Sequence, residues 1–215
     1  MAAVEHAPEP IFFRVAPQPR NGSDRPAAAE WQRARMLHAI TRAVSEKGYA
    51  KVTVADVVGH AGVSRRTFYE QFEDVEDCFV AAYEEATQTL LGEVETTIGA
   101  ARAESWRDRF EVAIAAYLRG LASDRDVARA CLVDVLGAGP RAVETRRHVY
   151  AQFVAQMRAL RHGRRDGKGE VADVQFHATV GAIGELVEEH IFERGAESLP
   201  ELTPTLVRIG WALLE

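Results

Sequence analysis

Cysteine is scarce in this chain of 215 residues: only Cys78 and Cys131 occur, and they form no C-x-x-C spacing. Such sparse cysteines suit a reducing cytoplasm and argue against a structural zinc site. Long apolar runs are missing too, since no stretch approaches the roughly 18–20 residues that a membrane-spanning helix needs. The amino-terminal residues lack a basic segment followed by an apolar one, so no secretion signal is expected. We therefore expect a cytoplasmic protein.

Catalytic and cofactor motifs are missing as well. The chain contains no G-x-S-x-G, no Walker loop, no G-x-G-x-x-G after a strand, no H-E-x-x-H and no di-iron E-x-x-H pair. Asp173 and His177 stand four residues apart, a spacing that can hold a metal, but a lone pair of this kind more often forms a surface hydrogen bond. We expect no enzyme activity, no cofactor and no bound metal.

Basic residues are outnumbered, with 26 Lys+Arg against 32 Asp+Glu and a formal charge of −6. The negative net charge argues against a nucleic-acid binder, but the distribution of charge along the chain does not. Residues 31–72 hold seven basic and three acidic residues, a net of +4, whereas residues 73–215 carry a net of −9. A basic module on an acidic body is typical of a regulator with a nucleic-acid-binding head, although a solvated face is the alternative.

No alternating β pattern appears, and apolar residues recur at helical spacing from Trp31 onward, beginning with Leu37, Ile40 and Val44. We predict an all-α fold: an amino-terminal three-helix helix-turn-helix domain followed by a carboxy-terminal helical ligand-binding and dimerisation domain. The predicted boundaries are an irregular arm at 1–30, the helix-turn-helix domain at 31–78 and the helical domain at 79–215. Longer helices are expected at about 75–101, 127–136, 171–194 and 205–214, and apolar residues at helical spacing over 110–121 and 149–160 mark two more.

The arm holds five of the eight prolines and one apolar patch, Ile11–Val15. Two interpretations stay open for the patch. It docks loosely on the body of the protein, or the arm reaches DNA or a partner subunit.

Residues 54–72 have the length and punctuation of a helix-turn-helix. The pattern predicts a helix over Val54–Ala61 capped by Thr53, a break at Gly62, and a helix over Arg65–Phe72 capped by Ser64. Two short helices that cross steeply leave the second free to enter the major groove of DNA.

The start of the second helix carries side chains suited to DNA. Arg65 and Arg66 follow the cap, beside backbone N–H groups that favour phosphate, and arginine can pair bidentately with guanine. Thr67 could touch a thymine methyl or a phosphate, and the Tyr69 hydroxyl could donate to a phosphate. The alternatives are solvated charge for the arginines and half-buried packing for Tyr69.

The stretch from about Arg33 to Phe79 resembles the DNA-binding domain of the TetR family of one-component transcriptional regulators. The matching features, in order, are an amphipathic helix ending Lys47-Gly48-Tyr49, then Thr53–Val58, Ala61–Ser64, Thr67–Tyr69 and Phe72. The resemblance implies a homodimer in which each subunit joins a three-helix DNA-binding head to a variable helical ligand-binding domain.

By this resemblance, five residues map onto positions that usually touch DNA: Thr53, Arg65, Arg66, Thr67 and Tyr69. The chain departs from the family pattern at three positions. Arg66 stands where a small residue is common, Gln71 where His or Tyr is common, and Val75 where a lysine usually approaches phosphate. Arg66 is therefore a candidate specificity determinant.

Four carboxylates surround Val75, at Glu73, Asp74, Glu76 and Asp77. Any that face the duplex would repel it, so we expect fewer phosphate contacts there and more reliance on Lys51, the arginine pair and the first helix. The complete set of predicted DNA-binding residues is Lys51, Thr53, Ser64, Arg65, Arg66, Thr67 and Tyr69.

The helices at 171–194 and 205–214 lie where the resemblance places the family's dimerisation helices. Small residues would allow close approach between subunits there, with packing inside one chain as the alternative. They are Ala178, Gly181, Ala182 and Gly184.

The middle helices offer residues that could line an apolar cavity with a few polar groups. Ordinary core packing is the alternative for each of them, and Cys131 lacks a nearby second thiol for redox sensing. The predicted effector-binding residues are Trp106, Phe110, Tyr117, Cys131, Tyr150, Phe153, Phe176 and His177.

We therefore expect a TetR-like regulator, most simply a repressor, that binds a palindromic operator as a homodimer and is released by an apolar or amphipathic small molecule. The alternatives are a helical interaction or adaptor protein, or a ligand-binding protein without DNA-binding activity.

Overall fold

The computed structural model of the protein describes residues 11–13, 25–162 and 171–215. Within these ranges all regular structure is helical, which confirms the predicted all-α class. Short 3-10 turns lie at Tyr49–Lys51, Asp134–Gly137 and Ala196–Leu202. The α-helices are α1 (Arg25–Lys47), α2 (Val54–Ala61), α3 (Arg65–Tyr69), α4 (Val75–Ala100), α5 (Trp106–Ala122), α6 (Arg125–Leu132), α7 (Pro140–His162), α8 (Asp173–Arg194) and α9 (Thr203–Leu214).

The described residues group into two compact units. The head unit contains Phe12–Gln88 and Asp126–Val149, and the body unit contains Ile11, Thr89–Arg125 and Tyr150–Glu215. Most of α6 and the start of α7 therefore pack with the amino-terminal helices, although they lie far from them in the chain. The predicted functional boundaries near residues 30 and 78 stay a prediction.

Local capping explains where α2 and α3 begin and end. Thr53 and Asp56 form a capping box at the start of α2, in which each side chain bonds the other residue's backbone N–H. Gly62 ends α2 with φ +62, a left-handed conformation that favours glycine. The Ser64 hydroxyl then accepts the N–H of Thr67 at 3.0 Å and starts α3.

The core of the head unit is built from the apolar stripe of α1 and aromatic side chains of the following segments. Leu37, Ile40 and Val44 are fully buried, as their spacing predicts. Phe68 is also fully buried, and its ring centroid lies 5.6 Å from that of Phe72. The burial of Phe68 fixes which side of α3 faces the solvent.

Helix α3 is shorter than predicted, because it ends at Tyr69 rather than Phe72. The Phe72 N–H still donates to the Phe68 carbonyl at 2.9 Å, so one further turn follows without regular helix. The helix predicted at 127–136 is likewise shorter, because α6 ends at Leu132 and a 3-10 turn follows at Asp134–Gly137. Helix α5 starts at Trp106 because Ser105 forms a capping box with Asp108, and α7 starts at Pro140, a residue well suited to the first helical position.

The described part of the apolar patch packs against the protein. Phe12 and Phe13 are buried, and the Phe13 ring lies 6.5 Å from that of His38 within the head unit. The Ile11 N–H donates to the Ser123 hydroxyl at 3.4 Å within the body unit. These contacts favour docking over a free arm for Ile11–Phe13, whereas Arg14 and Val15 lie outside the described residues.

In the body unit, α5 and α8 each pack against α9 and the 3-10 turn at Ala196–Leu202. Phe110 and Phe176 are each about 1% exposed. Arg161 is also buried: its Nε donates to the Leu214 carbonyl at 2.9 Å, and its guanidinium lies 4.9 Å from the centroid of the Trp106 ring. No helix of the described residues is long and apolar enough to span a bilayer.

Acidification tests the ion pair that joins the end of α1 to the start of α2. Lys47 Nζ lies 2.6 Å from Asp56 Oδ1, and bonds from Lys47 and Thr53 lower the pKa of Asp56 to about 2. This value lies below the unfolded pKa of about 3.9. The stabilisation is therefore full above about pH 4 and is lost as the pH falls toward 2.

The measurement is urea unfolding of the wild type and Asp56→Asn between about pH 6 and about pH 3. Asp56→Asn should be less stable than the wild type at about pH 6, and the difference in their free energies of unfolding should shrink toward about pH 3. Glu84→Gln removes an exposed glutamate that makes no ion pair with the described residues, and serves as the control. A difference in the free energy of unfolding that stays constant with pH would contradict the assigned role of Asp56.

Gly210 permits close packing of α9 on α5, because a Cβ added there would collide with the buried Phe110 ring. Gly210→Ala should lower the free energy of unfolding by about 1–3 kcal/mol through overpacking. Gly92→Ala is the control, since Gly92 has nothing within 4 Å of the added Cβ. It should be neutral or stabilise by up to about 1 kcal/mol. Equal effects of the two substitutions in thermal unfolding would contradict this packing.

Candidate nucleic-acid interface

Helix α3 presents three large polar side chains to solvent, whereas Phe68 of the same helix is buried. Arg65, Arg66 and Tyr69 are all exposed, and the side chain of Arg66 is 90% exposed. The Tyr69 ring rests edge-on against the Phe68 ring at 5.4 Å between centroids and remains 60% exposed. The structure therefore brings together the residues that the sequence assigned to DNA on this helix.

The two arginines differ in their surroundings. Arg66 Nε donates to Glu70 Oε1 at 2.9 Å, a pair on the exposed surface of one helix turn. Exposed pairs of this kind are worth only about 0–1 kcal/mol, so Arg66 can exchange Glu70 for a phosphate or a base. Arg65 forms no ion pair with any residue that the structure describes. Both guanidiniums are therefore accessible to an anion.

The predicted hydroxyl residues hold the backbone of the motif. Thr53 Oγ1 donates to Asp56 Oδ2 at 2.8 Å, and Ser64 Oγ lies 2.9 Å from Thr67 Oγ1. All three hydroxyls are thus engaged in the caps of α2 and α3. Lys51 lies exposed in the 3-10 turn before α2, and no described residue pairs with it.

Most carboxylates of the acidic cluster at the start of α4, residues 73–77, form hydrogen bonds or ion pairs within the head unit. Glu76 Oε1 accepts the backbone N–H of Arg141 at 3.1 Å, and the Arg141 guanidinium binds Asp77 at 2.9 Å. Asp74 Oδ1 accepts the Asp77 N–H at 2.8 Å and caps the helix. Sequence reasoning missed Arg141, since a partner 64 residues away leaves no local signal. Three of the four carboxylates thus serve the fold, which leaves Glu73.

The predicted effector-binding residues lie in different surroundings. Seven belong to the body unit, whereas Cys131 belongs to the head unit. Trp106, Phe110 and Phe176 are buried core residues, while Tyr117 and Phe153 are half-buried and meet edge-on at 5.7 Å. The assignment of these residues to an effector stays a prediction.

Tyr150 and His177 meet at the surface of the body unit. Their rings stack at 5.9 Å, and the Tyr150 hydroxyl donates to the His177 carbonyl. Asp173 lies 3.6 Å from the His177 ring and also pairs with Arg158. Among the described residues, no three His, Cys, Asp or Glu side chains are grouped to hold a metal.

The body unit contains a cavity of about 500 Å³ that sequence reasoning did not assign. It lies at the carboxyl-terminal ends of α4 and α7 and the amino-terminal end of α5. Its lining includes Ile98 and Leu160 with the polar side chains of Glu95, Arg109 and Gln156. Its members come from three distant segments, so no periodicity in the sequence could reveal it.

Helix α8 exposes two large apolar side chains on one face, with the exposed Glu185 between them. Val174 and Phe192 are 70% and 60% exposed and stand 18 residues apart, five helical turns, so they lie on the same face. Ala178 is exposed between them, and a Cβ added at Gly184 would meet nothing within 4 Å. At Gly181, an added Cβ would come within 3.3 Å of the Tyr150 hydroxyl.

Known proteins resemble this chain in part of its sequence and in its fold. Residues 36–82 match the family model described as bacterial regulatory proteins, tetR family. A search of curated protein sequences gave no match.

Solved structures of regulators share the fold at low identity. The fatty acid degradation regulator FadR from Bacillus halodurans aligns with a TM-score of 0.75 at 16% identity, covering 85% of this chain and 94% of that one. FadR from Bacillus subtilis, solved in complex with stearoyl-CoA, aligns with a TM-score of 0.71 at 16% identity, covering 81% and 95%. PfmR from Thermus thermophilus, a TetR-family regulator, gives 0.64 at 18% identity, covering 82% and 95%.

The family match covers α2, α3 and most of α1, and thus the surface formed by Arg65, Arg66 and Tyr69. The resemblance found in the sequence is confirmed: this chain carries the DNA-binding domain of the tetR family and has the fold of TetR-family transcriptional regulators.

Proposed function

We propose that this protein is a transcriptional repressor that binds a palindromic operator as a homodimer and dissociates when a small molecule enters the body unit. The observation that carries the proposal is the outward array of Arg65, Arg66 and Tyr69 on α3 of a helix-turn-helix. This role makes the protein a binding protein rather than an enzyme, and it locates the protein in the cytoplasm, where bacterial DNA lies.

The DNA contacts follow from the positions of the cations and hydroxyls. Arg66 reads bases in the major groove, whereas Arg65, Lys51 and the Tyr69 hydroxyl bind phosphates. Thr53, Ser64 and Thr67 lie at the helix starts, beside the phosphates that flank the groove, and the cap hydrogen bonds of their hydroxyls hold those starts in place. Two α3 helices of a dimer would enter successive major grooves about 34–36 Å apart.

Dimerisation supplies the two-fold symmetry that a palindrome needs. The exposed side chains of Val174 and Phe192 on one face of α8 support α8 and α9 as the subunit interface, because exposed large apolar side chains favour packing against a second copy. In this arrangement that face of α8 meets its own symmetry mate.

Release by an effector requires that the ligand bind two conformations with different affinities. FadR from Bacillus subtilis was solved with stearoyl-CoA, an amphipathic molecule. This supports an amphipathic effector for the present protein. The predicted effector residues of the body unit and the cavity bounded by α4, α5 and α7 are the places in this unit to which it would bind.

Substitution of Arg66 tests the base-reading role. Arg66→Ala should relax the preference for the operator over scrambled DNA by about 5–150-fold, because a bidentate guanine contact is worth about 1–3 kcal/mol. The measurement is fluorescence anisotropy with fragments from the region upstream of its own gene and scrambled versions of them.

Arg42→Ala is the matched control, since Arg42 forms the same kind of exposed ion pair on α1, with Glu46 at 2.8 Å. Its sequence preference should equal that of the wild type. Uniform weakening on all sequences by Arg66→Ala would show that Arg66 only binds the backbone. Absence of DNA binding by the wild type would favour the adaptor or the DNA-independent ligand-binding protein.

Substitution of Phe192 tests the subunit interface. Phe192→Asp should convert a dimer of about twice 23.7 kDa into a monomer in light scattering at micromolar concentration, because it buries an unpaired charge. Leu136→Asp is the control, since Leu136 is likewise exposed, at 51%, but lies in the head unit. A monomeric wild type, or a dimer that tolerates Phe192→Asp, would contradict this interface.

A further inference from the structure

The cavity of the body unit combines an apolar floor with a polar rim. Its volume of about 500 Å³ lies within the range of about 300–1,000 Å³ that is common for small-molecule sites. Three helices contribute, so the shape depends on the tertiary fold rather than on one loop. The lining residues are Glu95, Ile98, Gly99, Ala101, Ala103, Arg109, Gln156, Ala159 and Leu160.

The floor is continuous with the hydrophobic core. Leu160 belongs to a buried cluster with Val94 and Ala113, and Ile98 packs against the same cluster. An apolar group in the cavity would therefore contact buried apolar side chains. Each Å² of apolar surface that it removes from water would contribute about 25 cal/mol of favourable free energy.

The rim carries one cation that the protein leaves unpaired. Arg109 is half-buried, and its guanidinium forms no ion pair or hydrogen bond with the residues that the structure describes. Of the nearby cations, Arg107 pairs with Glu215, whereas Arg102, between two lining residues in the chain, is exposed and forms no ion pair with the described residues. Partial burial of an unpaired guanidinium is unfavourable, and an anion in the cavity would relieve it.

The other two polar side chains limit what that anion can be. Glu95 lines the same cavity, yet it forms no ion pair with Arg109. Its carboxylate would repel a second negative charge on a ligand. The amide of Gln156 is likewise without a partner in the described ranges, and it can donate to an oxygen that Arg109 also binds.

We propose that this cavity is the effector site and that it binds an amphipathic monocarboxylate. The carboxylate pairs with Arg109 and Gln156, the hydrocarbon body lies on Ile98 and Leu160, and Glu95 excludes dicarboxylates. The inference rests on the proposed function as a ligand-released repressor, and it assigns that function a site and a ligand class.

Titration calorimetry without DNA tests the site directly. The probes are sodium decanoate, sodium 4-phenylbutyrate, decylammonium chloride and disodium sebacate, the dicarboxylate of decanoate's length. The wild type should bind one or both monocarboxylates, bind decylammonium at least about tenfold more weakly, and bind sebacate more weakly than decanoate. Failure to bind either monocarboxylate, or equal binding of decylammonium, would overturn the proposal.

Variants locate the binding on the named side chains. Arg109→Gln should weaken binding of the monocarboxylate at least about tenfold, whereas Arg119→Gln, an exposed arginine of the same helix with the same charge change, should not. Glu95→Gln should narrow the difference in affinity between decanoate and sebacate. This measurement stays informative even if Arg109→Gln does not fold. Equal loss of monocarboxylate affinity in both arginine variants would overturn the assignment. So would a Glu95→Gln variant in which the affinity difference between decanoate and sebacate is unchanged.

A DNA assay run beside the calorimetry separates the two proposals. Operator binding by a protein that ignores all the monocarboxylates would overturn the effector site and leave the repressor function standing. Monocarboxylate binding by a protein that ignores DNA would overturn the repressor function alone. Decanoate or 4-phenylbutyrate that binds the wild type should release it from DNA, and release should fail in Arg109→Gln.

Discussion

The burial of Phe68 is the interaction on which the DNA-facing surface depends. Helix α3 has only five residues, too few to be stable through its own hydrogen bonds. Its orientation comes from Phe68, which is fully buried and packs against the ring of Phe72. With that side chain inward, Arg66 lies on the opposite side of α3, and Arg65 and Tyr69 flank Phe68 and are exposed. The same residue that completes the head core thus presents the polar array.

The carboxylates next to that array are paired within the head unit. The head segment is basic within an acidic chain, yet four carboxylates stand at the start of α4, immediately after the array. Arg141 takes up Glu76 and Asp77, and Asp74 caps the helix. The acidic cluster therefore joins α7 to α4 within the head unit, and the repulsion expected from it is reduced to that of Glu73.

Sequence reasoning succeeded wherever a signal was local. Thr53, Gly62 and Ser64 each act on backbone within three or four residues, so the limits of α2 and the start of α3 could be predicted. The end of α3 was predicted three residues late, because the backbone bonds of Gln71 and Phe72 resemble helix without being regular.

What the sequence could not reveal depends on distant pairings. Arg141 meets Asp77 across 64 residues, and residues 126–149 join the amino-terminal helices in one unit. The cavity draws on the ends of three helices, and its unpaired Arg109 looks in the sequence like any surface arginine. The predicted effector residues were chosen for aromatic and polar character alone, which does not distinguish a core such as that around Phe110 from a binding site.

This acidic protein binds DNA through the few cations of its head. The affinity of the wild type for DNA from its own upstream region, measured across a series of salt concentrations, tests this binding mode directly. Each neutralised phosphate contributes about 0.9 to the slope of log affinity against log salt. We expect log affinity to fall linearly with log salt, with a slope of several units per dimer. Affinity that does not change with salt, or no binding at low salt, would contradict binding through these cations.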